Sequence, residues 1–355
     1  MKYKETNRLA NVCGFDPQSG CYSFTQDERE YLSLCDELFQ KDEAPLEIRT
    51  KGEFLYLWYA SVGKLEIYLN KRVLSSVEKN TYLIDGKSLY VGYSSGFDEY
   101  NLLNPITGEF SLSSHIPYEL YVEDDVLIAY DDFYKKEIRR IDNRTEALWS
   151  FSFEDLGEDN IYTPDEVDRI SKILGITENL LWFSTQFGRL VALDVATGKV
   201  VYQLSGNPAD QDKVEYTQVA GLGDCFYRES DRSIVCISYL GFQVIDATTG
   251  DLAESRVFLE EDPDGIGRFD YIYAPNLQGD YFTFLAEMKT DWYGIGRVGI
   301  FDLKARKLLW TEEIIPLEER KATGNHLVTP QPLYISGDKL YIKDVKDTLH
   351  IFQRE

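Results

Sequence analysis

Apolar and polar residues alternate in short bursts along most of this chain, and the bursts come in pairs separated by turn residues. The clearest pair lies in residues 180–204. Leu180-Leu181-Trp182-Phe183-Ser184 runs into a turn at Thr185-Gln186-Phe187-Gly188, and Arg189-Leu190-Val191-Ala192-Leu193-Asp194 follows. A second turn, Val195 to Lys199, leads to Val200-Val201-Tyr202-Gln203-Leu204. Period-2 alternation with tight turns predicts three antiparallel strands. Similar pairs occupy 54–59 with 65–69, 89–93 with 100–103, 126–130 with 138–141, 234–237 with 242–245, 281–285 with 298–301, and 340–342 with 349–352. That makes seven hairpins in 355 residues, about 51 residues for each, which suits a unit of four strands and a loop. A lone unit cannot bury both faces of its sheet, so stacking is required. The pattern predicts an all-β chain, a seven-bladed β-propeller of four-stranded antiparallel blades forming a single domain over 1–355. The N-terminal segment, about 8–25, has a strand at 21–24 without a hairpin of its own and is expected to complete the last blade.

The turns share a chemistry. Asp194-Val195-Ala196-Thr197-Gly198 aligns with Asp16 to Gly20, Asn104 to Gly108, Asp142 to Glu146, Asp246 to Gly250 and Asp302 to Arg306, with a weaker copy at 70–72. An Asp or Asn carboxyl or amide oxygen accepts from amides two or three residues on, Thr or Ser reinforces this, and Gly takes the positive φ that ends the turn. Two stretches break the strand pattern. Tyr31, Leu34, Cys35, Leu38 and Phe39 stand at helical spacing, predicting a helix near 27–40. Thr163-Pro164-Asp165-Glu166 carries an N-cap, a first-turn proline and a Glu three residues after the cap, predicting a helix over 164–174.

Charge narrows the partners. With 37 basic and 61 acidic residues the net charge is −24, which opposes nucleic acid and anionic membrane surfaces and favours a basic protein. Five cysteines, odd in number and without short paired spacings, indicate neither a disulfide framework nor a zinc site. No segment approaches a membrane span and no apolar run follows the first basic residues, so the chain reads as cytoplasmic, with reduced cysteines, and as a monomer on its own.

Much of the acidity falls between the predicted blades: Glu123; Asp155, Glu158, Asp159 and Asp168; Glu260, Glu261, Asp262 and Asp264; Glu312, Glu313, Glu318 and Glu319. In a propeller the loops inside hairpins share a face with these connections, which adds Asp131 and Asp132, and Trp292 with Tyr293. Acidic loops steer a basic partner and an exposed aromatic supplies the apolar contact, so Asp131, Asp132, Asp155, Glu158, Asp159, Glu260, Glu261, Asp262, Asp264, Trp292 and Tyr293 are the expected partner-binding residues. Other chemistry finds little support. His115, His326 and His350 are scattered, and no catalytic residue is assigned. The Glu260 to Gly265 run places Ile266 where a calcium loop needs a ligand, so no metal is expected, nor any cofactor. Gly294-Ile295-Gly296-Arg297-Val298-Gly299 opens a strand and not a helix, so it cannot aim helix-terminal amides at phosphate.

The run Ala192-Leu193-Asp194-Val195-Ala196-Thr197-Gly198-Lys199-Val200-Val201-Tyr202 resembles the repeat of pyrroloquinoline-quinone-type propellers, A-x-D-x-x-T-G-K-x-x-W, with Tyr202 in the tryptophan place. Trp310 holds that place after Asp302, Trp149 comes one residue early after Asp142, and Phe24, Leu112 and Glu254 stand there in other copies. The resemblance implies a propeller and carries over no activity, since this scaffold hosts dehydrogenases, assembly factors and binding modules alike. The expected function is non-catalytic binding of a basic protein through the acidic loop face, with an inhibitor or immunity-type protein masking a toxin or nuclease as its specific form. The alternatives are a propeller hydrolase or oxidoreductase with a metal or cofactor at the channel mouth, and a constitutive subunit of a larger assembly.

Overall fold

A computed structural model describes the chain except for residues 35, 60, 79–80, 84–90, 97–98, 105–106, 108–109, 115–118, 132–136, 143, 145, 157–166, 206–214, 217–222, 239, 260–263, 289–292 and 329–331. The described strands form seven four-stranded antiparallel sheets and one sheet of five strands. In chain order the first sheet holds Val12–Asp16, Cys21–Gln26, Arg29–Leu34 and Glu37–Lys41; the second, Glu47–Lys51, Phe54–Tyr59, Lys64–Leu69 and Arg72–Glu78; the third, Thr81–Leu83, Val91–Gly96, Glu99–Leu103 and Phe110–Ser114. The fourth holds Glu119–Glu123, Val126–Asp131, Glu137–Ile141 and Ala147–Ser152, and the fifth Ile170–Thr177, Leu180–Thr185, Arg189–Asp194 and Val200–Ser205, to which Glu215–Tyr216 adds a short parallel fifth strand. The sixth holds Asp224–Arg228, Ser233–Ser238, Gly241–Asp246 and Leu252–Val257; the seventh, Phe269–Gln278, Tyr281–Met288, Arg297–Asp302 and Lys307–Glu313. The eighth takes Ile335–Ser336, Lys339–Lys343 and Leu349–Arg354 from the C-terminus and Tyr3–Leu9 from the N-terminus. Two compact units emerge, residues 1–78 with 258–355 and residues 79–257.

Sheets stack face on face within each unit, and this explains the hydrophobic pattern. In Leu180–Thr185 every residue is buried. Leu181 and Phe183 pack with Phe151 and Phe153 of the preceding segment, while Leu180 and Trp182 pack with Ile234 and Cys236 of the following sheet. Alternate side chains point to opposite faces, and here both faces meet a neighbour. Each such side chain contributes roughly 2–3 kcal/mol of burial.

The N-terminal region departs from expectation. The strand that joins the C-terminal sheet is Tyr3–Leu9, paired with Leu349–Arg354, whereas residues 12–26, inside the segment expected for that role, form the first hairpin of another sheet. This sheet is not among the seven hairpins of the sequence pattern, because the apolar residues of its second half fall at helical spacing. No helix occurs at 29–34 or 37–41: these are strands, joined to the chain before them by a hairpin turn in which Asp27 and Glu28 take φ of 51° and 60°. Two consecutive left-handed residues close a tight β-turn and cannot continue an α-helix. Leu32 and Leu34 alternate inward, whereas Leu38 and Phe39 are exposed on the outer strand, so the helical stripe was a coincidence of two strands. The helix expected over 164–174 is likewise overturned where described: Ile170–Thr177 is a strand whose bulges at 170–172 and 173–175 blur the period of two. Residues 164–166 lie outside the described residues.

Candidate protein-interaction surface

The loop end of the seventh sheet is built around one helix, α1, Leu317–Thr323. Pro316 precedes it, Glu318 and Glu319 fill its first turn, Arg320 and Lys321 follow in the last turn, and Gly324 stops it at φ 67°. This order suits the helix dipole, acids at the N-terminus and bases at the C-terminus. Arg320 turns inward and is buried. Its Nε donates to Ile315 O at 3.0 Å, Nη1 to Gly294 O at 2.6 Å and Nη2 to Glu313 Oε1 at 3.2 Å. The amides of Ile314 and Ile315 both donate to Gly296 O. A Cβ on Gly296 would lie 2.4 Å from Arg320 Nε, so this glycine of the run that resembles a phosphate loop instead clears space for a guanidinium. The 294–296 loop and α1 are thereby one construction.

Tyr293 rides on it. Its side chain is 56% exposed, and Lys321 Nζ lies 5.4 Å from the ring centroid, within cation–π range. Lys321 also pairs with Glu318, whose side chain is 86% exposed. Glu312 and Glu319 are exposed nearby in sequence, while Glu313 is drawn in by Arg297 and Arg320. Behind α1 a polar chain runs inward. Asn325 Nδ2 donates to Glu319 and Asp344, and His350, in the third strand of the eighth sheet, sets Nδ1 2.8 Å from Glu5 and Nε2 3.4 Å from Asp344. Asp344 is desolvated by burial, which pushes its carboxyl up, yet hydrogen bonds from His350, Asn325 and the Thr348 and Lys346 amides outweigh this and hold it down at about 2. His350 is a structural tie between the N-terminal strand and this corner.

The expected binding residues divide. Asp131 ends its strand opposite Glu137, which pairs with Ser152, and the 3-10 turn Phe153–Leu156 begins at the next residue; Asp131 and Asp155 thus share one end of the fourth sheet. Asp155 is exposed, lifted by the buried Phe153 and Leu156 that flank it. Asp264 and Tyr293 are not brought together. The Asp264 carbonyl accepts from Leu308 N, beside the 302–307 turn, whereas Tyr293 sits toward the opposite end, where Arg297 pairs with Glu313. Asp132, Glu158, Asp159, Glu260, Glu261, Asp262 and Trp292 lie outside the described residues. Two acids expected in the loops are withdrawn from solvent. Asp168 is buried in an ion pair with Arg189 at 2.9 Å, and Glu123 accepts from Tyr121 Oη and Ile176 N. The sequence pattern did not reveal α1, although Pro316 before a Glu-rich segment and Gly324 after it are the signals of a short helix. Among the described residues no three His, Cys, Asp or Glu side chains group as a metal site requires, and no helix is long and apolar enough to cross a membrane.

The repeat turns lie at the other end of the sheets. The aromatic that follows one turn docks on the next. Trp149 donates from Nε1 to Val195 O at 2.8 Å and covers Gly198; Tyr202 donates to Thr248 O at 3.2 Å, covers Gly250 and stacks on Trp182. Trp149, one residue early in sequence, is in register with Tyr202 and Trp310: they pair with Arg140, Ala192 and Ile300, each two residues before its turn Asp.

Sheets of this form, one after another along the chain, define a β-propeller, and solved structures agree. The chain resembles the C-terminal WD40 domain of Sif2 at a TM-score of 0.58, with 12% identity over 99% of this chain and 98% of that one. It resembles Saccharomyces cerevisiae Sqt1 at 0.55, with 10% identity over 99% and 98%, and BamB from Moraxella catarrhalis at 0.48, with 15% identity over 86% and 95%. The likenesses to Sif2 and Sqt1 show the fold alone. No protein-family model matches the chain, and no curated protein sequence matches it.

Proposed function

We propose that this propeller is a non-catalytic binding module that engages a basic protein in the cytoplasm through its acidic loop ends. The observation that carries this reading is Tyr293, an exposed aromatic held by a buried-arginine scaffold beside the acidic first turn of α1. An exposed aromatic linked through Lys321 to the Glu318 carboxylate combines the two contributions a charged interface needs: long-range steering and desolvated contact. The net charge of −24 favours the same kind of partner. In its specific form the chain is an inhibitor or immunity-type protein that masks a basic toxin or nuclease, the acidic face standing in for a polyanionic substrate.

Affinity capture with the full chain tests this. The captured protein should be basic, should dissociate as salt rises, and should be lost or weakened at least tenfold by Tyr293→Ala or by Glu312→Lys with Glu318→Lys. A partner whose binding ignores salt and survives both variants sinks the proposal for this patch; the same comparison with Asp264→Lys tests the other sheet end. For the inhibitor form, the partner's own activity must fall when one equivalent of the chain is added.

A further inference from the structure

Cys225 and Cys236 face each other across the first two strands of the sixth sheet. Asp224–Arg228 and Ser233–Ser238 are antiparallel, with Cys225 directly opposite Cys236 in the register. Their sulfurs are 3.2 Å apart, and both side chains are buried, 2% and 1% exposed. Directly opposed residues of an antiparallel pair have Cα atoms about 4.5 or 5.5 Å apart, inside the roughly 4.4–6.8 Å range that a disulfide spans. The backbone is therefore already placed, and only a side-chain closure separates two thiols from a bond. Both are free thiols in this structure.

We propose that Cys225 and Cys236 form a redox-responsive pair that a hydroperoxide converts into an intramolecular disulfide, stapling the first two strands of this sheet. The thiolate of one cysteine attacks a peroxide oxygen; the O–O bond breaks, hydroxide leaves and takes a proton as water, and a sulfenic acid forms. The other sulfur attacks that sulfenic sulfur, forms the S–S bond and expels a second water. Two thiols and one hydrogen peroxide thus yield one disulfide and two waters, the peroxide taking up the two electrons the sulfurs lose. The oxidant must be small, because a bulky disulfide cannot reach sulfurs this buried. Cys236 is held back in the resting state: the neighbouring Cys225 thiol and burial both push its thiol well up, so reaction waits on local opening of the pair. Cys13 is more exposed and lacks an opposed partner cysteine in its strand register, so exposure and pairing make different predictions.

The test treats the folded, full-length protein with hydrogen peroxide, blocks residual thiols in denaturant, and maps peptides without reduction. The expected result is a mass lower by two hydrogens, reactive thiols falling from the five of the sequence to three, and a linked peptide joining Cys225 to Cys236 that dithiothreitol separates. Cys13→Ala should leave the link intact and Cys236→Ala should abolish it. If Cys236→Ala fails to fold, the wild-type peptide map decides alone. Recovery of unlinked Cys225 and Cys236, whether still as thiols or as sulfinic acids, or a link to any other cysteine, overturns the proposal.

Discussion

The turn at Asp194–Gly198 and the turn at Asp16–Gly20 are locally the same object. In each, a Ser or Thr three residues on donates both amide and hydroxyl to the Asp carboxylate, and the closing Gly donates its amide to the Asp carbonyl at φ 70°. Yet one joins the third and fourth strands of its sheet and the other the first and second. Their surroundings differ as well. Asp194 is only half-buried, and Gly198 lies under Trp149 from the last strand of the fourth sheet; Asp16 is buried and bonded to Thr50 of the second sheet, and Gly20 lies under Tyr341 from the second strand of the eighth. A turn motif therefore reports a corner of a sheet without saying which corner.

Substitutions can break this comparison at the glycines first. A Cβ at Gly198 would stand 2.6 Å from the Trp149 ring and one at Gly20 2.5 Å from Tyr341, whereas Gly188, at φ 76°, faces open space. Gly198→Ala and Gly20→Ala should each cost about 2–4 kcal/mol, strain plus overpacking, against about 1 kcal/mol for Gly188→Ala, measured by urea unfolding. Equal costs for all three would mean that the docked aromatics yield freely.

The carboxylates come next. Asp16→Ala removes acceptors used by Ser19 and Thr50 and should cost about 2–3 kcal/mol in the same assay. Asp194→Ala should cost clearly less, because water replaces the lost acceptor at an exposed turn. The reverse order would show that the local turn, and not its burial, sets the energy.

Asp344 makes a third, buried turn carboxylate, and its effect appears as pH dependence. Its folded-state value lies at about 2 against an ordinary 3.8. A depressed value stabilises the fold above about pH 4, and that stability, about 2 kcal/mol, should be lost as pH falls from 4 towards 2. Asp344→Asn should flatten the urea midpoint over that interval relative to the parent; an unchanged slope would place the acid sensitivity elsewhere.

Period-2 alternation made the strands of 54–69, 126–141 and 180–204 legible, since side chains on both faces meet apolar neighbours. The Asp-x-x-Thr-Gly turns were legible because their hydrogen bonds close within five residues. Strands 29–34 and 37–41 were not, because Leu38 and Phe39 face solvent on an outer strand and mimic a helical stripe. At the candidate surface, Tyr293 and the acids of α1 could be named individually, but not the buried Arg320 that joins their segments, nor the withdrawal of Asp168 and Glu123. Local order thus follows from the sequence by itself: alternation selects strands, and the Asp and Gly chemistry closes turns through contacts a few residues apart. Tertiary structure alone decided which strands each turn joins and which carboxylates face water, because those outcomes depend on partners distant along the chain.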